Sequence, residues 1–144
     1  MKKKKKNGNV QTALVKTVNV QKKTNVGIVN RCSLDRVVDG DTIDVHIDLG
    51  FKIILSKERV RLLGINTPES RTRNLEEKAL GLAAKARLKE LLPKKFIIKT
   101  FKDEKGKFGR ILGLPFVEDV DICQQLIDEG HARVYHGGTK VPWV

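Results

Sequence analysis

Apolar and polar positions begin to alternate near Val29. "CSLDRVV" and "TIDVHIDL" are β-rich runs on either side of "DGD", and in the second run Ile43, Val45, Ile47 and Leu49 share one parity. A period of two around such a centre predicts a hairpin closed by an Asp-Gly turn. "RVRLLGI", residues 59–65, predicts a third strand, and "TPES" breaks it because Pro68 cannot donate to a ladder. Between 75 and 92 the period changes. Leu75, Ala79, Leu82, Ala83, Ala86 and Leu91 recur at helical spacing, with Glu76 and Glu77 at the start and Lys89 near the end, as a helix dipole prefers. Pro93 ends this helix. "KFIIKTF" and "RILGLPFV" predict two more strands around a "GKFG" loop. "DICQQLIDEG" predicts a short helix with Asp121 as N-cap and Gly130 as C-cap, and "HARVY" is extended.

Three strands, a helix, two strands and a helix make an α+β domain that is mainly β. The order suits a five-stranded Greek-key barrel of OB type with packed helices, and a mixed α+β sandwich fits the same order. The 144 residues are one domain's worth of chain. Residues 1–26 read as a basic, flexible N-terminal arm, with a short strand possible around "ALVKTVNV"; residues 27–144 read as the folded domain.

Charge sharpens this division. The formal net charge is +12, from 29 basic and 17 acidic residues. Residues 1–30 hold eight of the lysines and no acid, which leaves 21 basic residues against 17 acidic ones in the remainder. A lysine run of this kind attracts polyanions without sequence preference, nucleic acid foremost and an acidic membrane surface second. No apolar run approaches the roughly 18 residues of a membrane span. "MKKKKKNGNV" lacks the apolar stretch of a signal peptide, so the expectation is an intracellular, cytoplasmic protein. Cys32 and Cys123 sit in no CxxC and read as buried free thiols, and His46, His131 and His136 form no zinc pattern.

Against this basic background the carboxylates of "RVVDGDTIDVHID" stand out. Polar residues gather at strand ends: Asp39 and Asp41 at the hairpin, Arg61 in the third strand, Asn66, Thr67 and Glu69 after it, and Arg110 at the start of the fifth. Oxygen donors of this kind suit a hard cation, arginines grip phosphate as bidentate forks, and a carboxylate orders or deprotonates water. Phosphodiester hydrolysis needs this set. Turn-forming Asp-Gly and ordinary surface charge account for the same residues one by one. An EF-hand does not fit, because Ile43, Asp44 and Gly50 occupy three positions that must be ligand, glycine and glutamate. Asp44 and Asp48 read as solvent-face residues.

"VVDGDT", then "RVRLLGINTPES", a helix and "GKFGR", in that order from about Val29 to Tyr135, resemble the staphylococcal-type thermonuclease family. The longer "HIDLGFKIILSKERVRL" is more similar to its phage and bacterial intracellular branch. The resemblance implies an OB barrel with helices and metal-dependent cleavage of DNA, with RNA also open, by a protein expected to be a monomer. The implied cofactor is Ca2+, with Mg2+ or another divalent ion as the alternative. Carried over by residue, Asp41, Asn66 and the Thr67 carbonyl would hold the metal, with Asp39 orienting them. Arg61 and Arg110 would grip phosphate and Glu69 would serve the attacking water, while Lys107, Phe108 and Tyr135 are candidates for substrate contact. The pattern departs from the secreted enzyme in three places. Asn66 replaces an aspartate, Phe108 replaces a tyrosine, and the chain ends at "GGTKVPWV" without the long C-terminal helix. Trp143 is left either to cap the core or to stand exposed. A second function class stays open, an OB-fold module that binds nucleic acid or protein without cutting.

Overall fold

The computed structural model describes residues 27–103 and 110–144. The predicted arm, the strand within it and the "GKFG" loop, with Lys107 and Phe108, lie outside the described residues.

The hairpin forms as the alternation dictates. β1 (Ile28–Asp39) turns through Gly40 and Asp41 into β2 (Thr42–Asp48). Ile43, Val45 and Ile47 are buried while Leu49 is exposed beyond the strand end. β3 (Ile54–Leu62) starts five residues earlier than the sequence suggests, because a five-residue connection with Gly50, Phe51 and Lys52 at positive φ returns the chain at once. Here the apolar pattern misleads: Phe51, Ile53, Ile54 and Leu55 are all exposed, so this half of β3 is held by its ladder to β2 and not by burial. After a Leu63–Gly64 turn comes β4 (Ile65–Asn66). β5 (Lys95–Lys102), β6 (Ile111–Val117), β7 (Val120–Asp121) and β8 (Arg133–Val134) complete the strands.

β1 pairs antiparallel with β2 and β5, β2 with β3, and β5 with β6. The parallel pairing of β3 with β6, Val60 opposite Ile111 and Leu62 opposite Gly113, joins the two ends of the sheet. A closed five-stranded barrel results, and closure removes the sheet edges that would otherwise be exposed. This is the OB-type α+β fold. Shifts of register in β1, between Leu34 and Arg36 and between Val37 and Asp39, bend the strand around the barrel. The interior is apolar, with Ile43, Val45, Val60, Ile98, Leu88 and Leu126 wholly buried. Truncating any of these to alanine would cost about 2–5 kcal/mol for a leucine or isoleucine.

The first helix, α1 (Leu75–Leu91), begins at Asn74, whose side chain accepts from the Glu76 and Glu77 N–H groups. The stripe that predicts this helix is not the stripe it buries. Gly81, Ala84 and Leu88 face the barrel, whereas Leu75 is 77% and Leu82 47% exposed. Small residues win the inner face because the backbone around Pro68 lies directly on Gly81. The second helix, α2 (Ile122–Asp128), is capped as expected by Asp121 and closes at Gly130, φ +80°. A bidentate Arg87–Glu129 fork joins the two helices, at 2.6 and 2.9 Å. Cys32 and Cys123 are free and buried, and burial pushes the Cys32 thiol up to about 12 and Cys123 higher still, so neither is a nucleophile. Among the described residues no helix is long and apolar enough to cross a membrane.

Candidate active site

The hairpin turn, the segment 66–70 and α1 meet at one end of the barrel. Gly40 makes that meeting possible. Its φ is not in the left-handed region, so the turn itself does not demand glycine. A Cβ there would lie 2.8 Å from the Ala84 Cβ and 2.9 Å from the Thr67 Oγ1. Glycine is required by close approach.

Asp41 is the hub. Its carbonyl accepts the Leu62 N–H at 2.8 Å and an Arg61 Nη1–H at 3.3 Å. Its Oδ1 accepts the Thr42 hydroxyl at 3.0 Å, and its Oδ2 accepts the Thr67 N–H at 3.2 Å and lies 3.3 Å from Arg61 Nη1. Both side chains are largely shielded, Arg61 at 16% and Asp41 at 14% exposure. Arg61 is thus the counter-ion of Asp41. In a site so shielded, losing either partner leaves a charge that is costly to strand.

Asp39, two residues back, takes a different task. Its Oδ1 accepts the Ser70 hydroxyl, which fastens the far end of segment 66–70 to the hairpin. Asn66 and Thr67 are buried, held by β4 pairing with β8 (Asn66 opposite Arg133), whereas the side chain of Glu69 is exposed. The Glu69 N–H donates to Glu77 Oε2 at 2.9 Å, so the first turn of α1 holds the backbone of Glu69. A pocket of about 160 Å³ opens here, lined by Asn66, Thr67, Glu69 and Glu77 and walled by Lys140 to Trp143. That wall is ordered by Arg133, which donates to the Val141 and Pro142 carbonyls at 3.2 Å and stacks 3.8 Å from the centre of the Trp143 ring. Trp143 therefore borders the site and does not cap the core.

The structure joins Asp39, Asp41, Arg61, Asn66, Thr67 and Glu69. It places Arg110 nearby but apart. Arg110 immediately precedes β6, whose Ile111 pairs with Val60 of β3, and its Nε and Nη2 bind Asp103 Oδ2 at 3.0 and 2.7 Å. More than half exposed, it keeps N–H groups toward solvent. Tyr135 donates its hydroxyl to the Gly138 carbonyl at 2.8 Å with Lys140 over its ring, so its polar end is already engaged. Ser70, Glu77 and Gly81 are the site residues that sequence reasoning missed, and Trp143 was read only as a core cap or an exposed residue. The NTPE-to-helix spacing was the only signal for the first three, and contact between loop and helix is not written in it.

Among the described residues no three His, Cys, Asp or Glu side chains group as metal ligands. A cation held here would meet one carboxylate, Asp41, and neutral oxygens from Asn66 and Thr67. The Thr67 hydroxyl is buried beside them without a partner. Such an all-oxygen set fits a hard divalent ion in kind, with few charges.

One expectation is overturned. Asp44 is not on a solvent face: it is buried, and Arg36 and Arg59 both bind it. The hydrogen bond from Arg59 holds its carboxyl below the usual range despite the opposing effect of burial. Parity put Asp44 outside the barrel correctly; the two long arginines then covered it.

Comparison with known proteins decides the relationship. Residues 59–141 match the family described as staphylococcal nuclease homologue. This chain belongs to the staphylococcal nuclease family. The family match spans Arg61, Asn66, Thr67, Glu69 and Arg110, while Asp41 lies before it. Similar proteins include endonuclease YncB of Bacillus subtilis (strain 168), 35% identical over 115 residues covering 75% of this chain and 51% of that protein. The SPbeta prophage-derived endonuclease YokF of the same organism is 35% identical over 113 residues, 75% of this chain and 36% of that protein. Thermonuclease of Staphylococcus intermedius is 34% identical over 99 residues, 68% of this chain and 55% of that protein. The chain thus spans about half the length, or less, of these family members.

Proposed function

We propose that this family member is a nuclease that hydrolyses phosphodiester bonds, in DNA first and RNA second. The observation that carries the reading is the junction of Asp41, Arg61 and Thr67 through hydrogen bonds and an ion pair, next to a pocket lined by Asn66, Thr67 and the exposed Glu69. Relatives named as endonucleases and thermonuclease support it. A divalent ion, calcium foremost, held by Asp41, Asn66 and the Thr67 carbonyl would polarise a phosphate oxygen and screen its charge. Arg61 and Arg110 meet the phosphoryl oxygens as forks, stabilising charge that grows on them in the transition state. Glu69 aligns water for attack on phosphorus and accepts its proton.

Incubating the protein with plasmid and single-stranded DNA, with calcium, magnesium or EDTA, tests this directly. Cleavage with an ion and none in EDTA is the expected result. Binding without cleavage under every condition would instead favour the OB-fold binding module.

Asn66→Asp is expected to tighten calcium binding, because ligand charge tunes affinity at oxygen sites and this one has a single carboxylate. Calorimetric titration of both proteins checks this; unchanged affinity would remove Asn66 from the ligand set. Removing residues 1–26, with their eight lysines, is expected to leave cleavage chemistry intact and to flatten the salt dependence of DNA binding. An identical salt slope in the truncated protein would show that this segment does not touch the substrate.

A further inference from the structure

Two residues along the β2–β3 ladder from the Thr42–Arg61 pair lies a second basic arrangement that the proposed chemistry does not use. Asp44 of β2 is flanked in register by Arg36 of β1 and Arg59 of β3. Arg36 Nε binds Asp44 Oδ2 at 3.1 Å, and Arg59 binds through Nε to Oδ1 at 2.9 Å and through Nη2 to Oδ2 at 3.2 Å. The carboxylate is covered, at 12% exposure, whereas the arginines stay 56% and 58% exposed. One arginine suffices to neutralise one carboxylate. The second leaves the cluster with an excess positive charge at the surface and N–H groups still unused, since an arginine has five.

From this geometry we infer that Arg36 and Arg59, tethered by Asp44, form a separate phosphate subsite that holds the nucleic-acid strand next to the scissile bond. The inference rests on the nuclease reading for the identity of the strand. Thr42 opposite Arg61 and Asp44 opposite Arg59 are two residues apart on the same ladder and the same face. That is roughly 7 Å along a strand, about two repeats where charges recur about every 3.4 Å of axis along each nucleic-acid strand, so one strand reaches both places. Binding to Asp44 freezes two long side chains before substrate arrives, so less rotamer entropy is lost on binding. Asp44 is a positioning residue here, and the arginines make the contact.

Salt dependence of binding to a single-stranded oligodeoxynucleotide, measured on the full chain in EDTA, tests the subsite without any cleavage. Each phosphate contact adds about 0.7 to the slope of log affinity against log salt for a single strand. Arg36→Gln with Arg59→Gln is expected to lower the slope by about 1.4, so the loss of affinity between about 50 and 200 mM salt shrinks about sevenfold. Lys78→Gln with Lys89→Gln, on the exposed face of α1, removes equal charge and is expected to change the slope far less. An unchanged slope in the arginine pair, or an equal change in the lysine pair, overturns the proposal. If the double variant does not fold, Arg36→Gln alone leaves Asp44 paired with Arg59 and is expected to lower the slope by about 0.7. Should the wild-type protein cleave nothing with any ion, the nuclease reading fails separately and the slopes still decide the subsite.

Discussion

Glu69→Ala is expected to lower turnover by ~10²–10⁴-fold while leaving the protein folded. Its side chain is exposed and makes no hydrogen bond or ion pair among the described residues; its backbone N–H, held by Glu77, stays in place in the variant. Arg110→Ala is expected to lower kcat by ~10²–10³-fold, the worth of one donor aimed at growing charge. Because both side chains are proposed to act on one phosphate and one water, the double variant is expected to lose less than the product of the single losses. Arg110→Lys is not expected to restore activity, since an ammonium cannot both hold Asp103 as Nε and Nη2 do and offer further planar N–H groups to phosphate. Single-turnover rates with circular dichroism as a folding control check all four proteins. Wild-type rates in both alanine variants would mean that these residues are surface charges and that the protein binds without cutting.

Gly81→Ala is expected to damage the site from a distance. In an ordinary helix interior this substitution gains about 0.5–1 kcal/mol, because glycine has more backbone freedom to lose. Here a Cβ would stand 2.5 Å from the Glu69 carbonyl oxygen and 2.7 Å from that of Pro68, both fixed backbone atoms. Segment 66–70 would have to withdraw from α1, against the Asp39–Ser70 and Thr67–Asp41 hydrogen bonds that hold it. Overpacking of this kind costs about 1–3 kcal/mol, and a shift of about 1 Å at reacting groups can cost ~10²-fold in rate. Thermal unfolding and turnover are therefore expected to fall together. Ala86→Gly, on the exposed face, is expected to lower stability by about 1 kcal/mol with no loss of turnover. A Gly81→Ala protein with normal stability and rate would show that α1 does not position Glu69.

Arg110 and the helix α1 show where reading by pattern reached its limit. Arg110 is legible as a candidate because it opens a predicted strand beside a glycine, but its tether, Asp103, is seven residues away along the chain across a stretch of sequence without a pattern. In α1 both faces carry apolar residues, so periodicity establishes a helix and says nothing about which stripe turns inward. Asp44 failed for a related reason. A strand's parity gives the side of the sheet, and burial on that side depends on whether neighbouring strands bring long side chains across it.

By itself the sequence determined the order of the five main strands and two helices and the caps at Asp121 and Gly130, because these follow from short-range periodicity and from residue type; the barrel class rested on the ordered motifs that resemble the family, since the same element order also fits a sandwich. The tertiary structure alone decided which surfaces touch. It put Gly40 and Gly81 at close contacts, set Glu77 and Ser70 to hold segment 66–70, paired Arg61 with Asp41, and gave Asp44 two arginines from the strands on either side of it. The reason is physical: barrel closure joins residues whose separation along the chain is arbitrary, so contacts made by closure leave no period in the sequence.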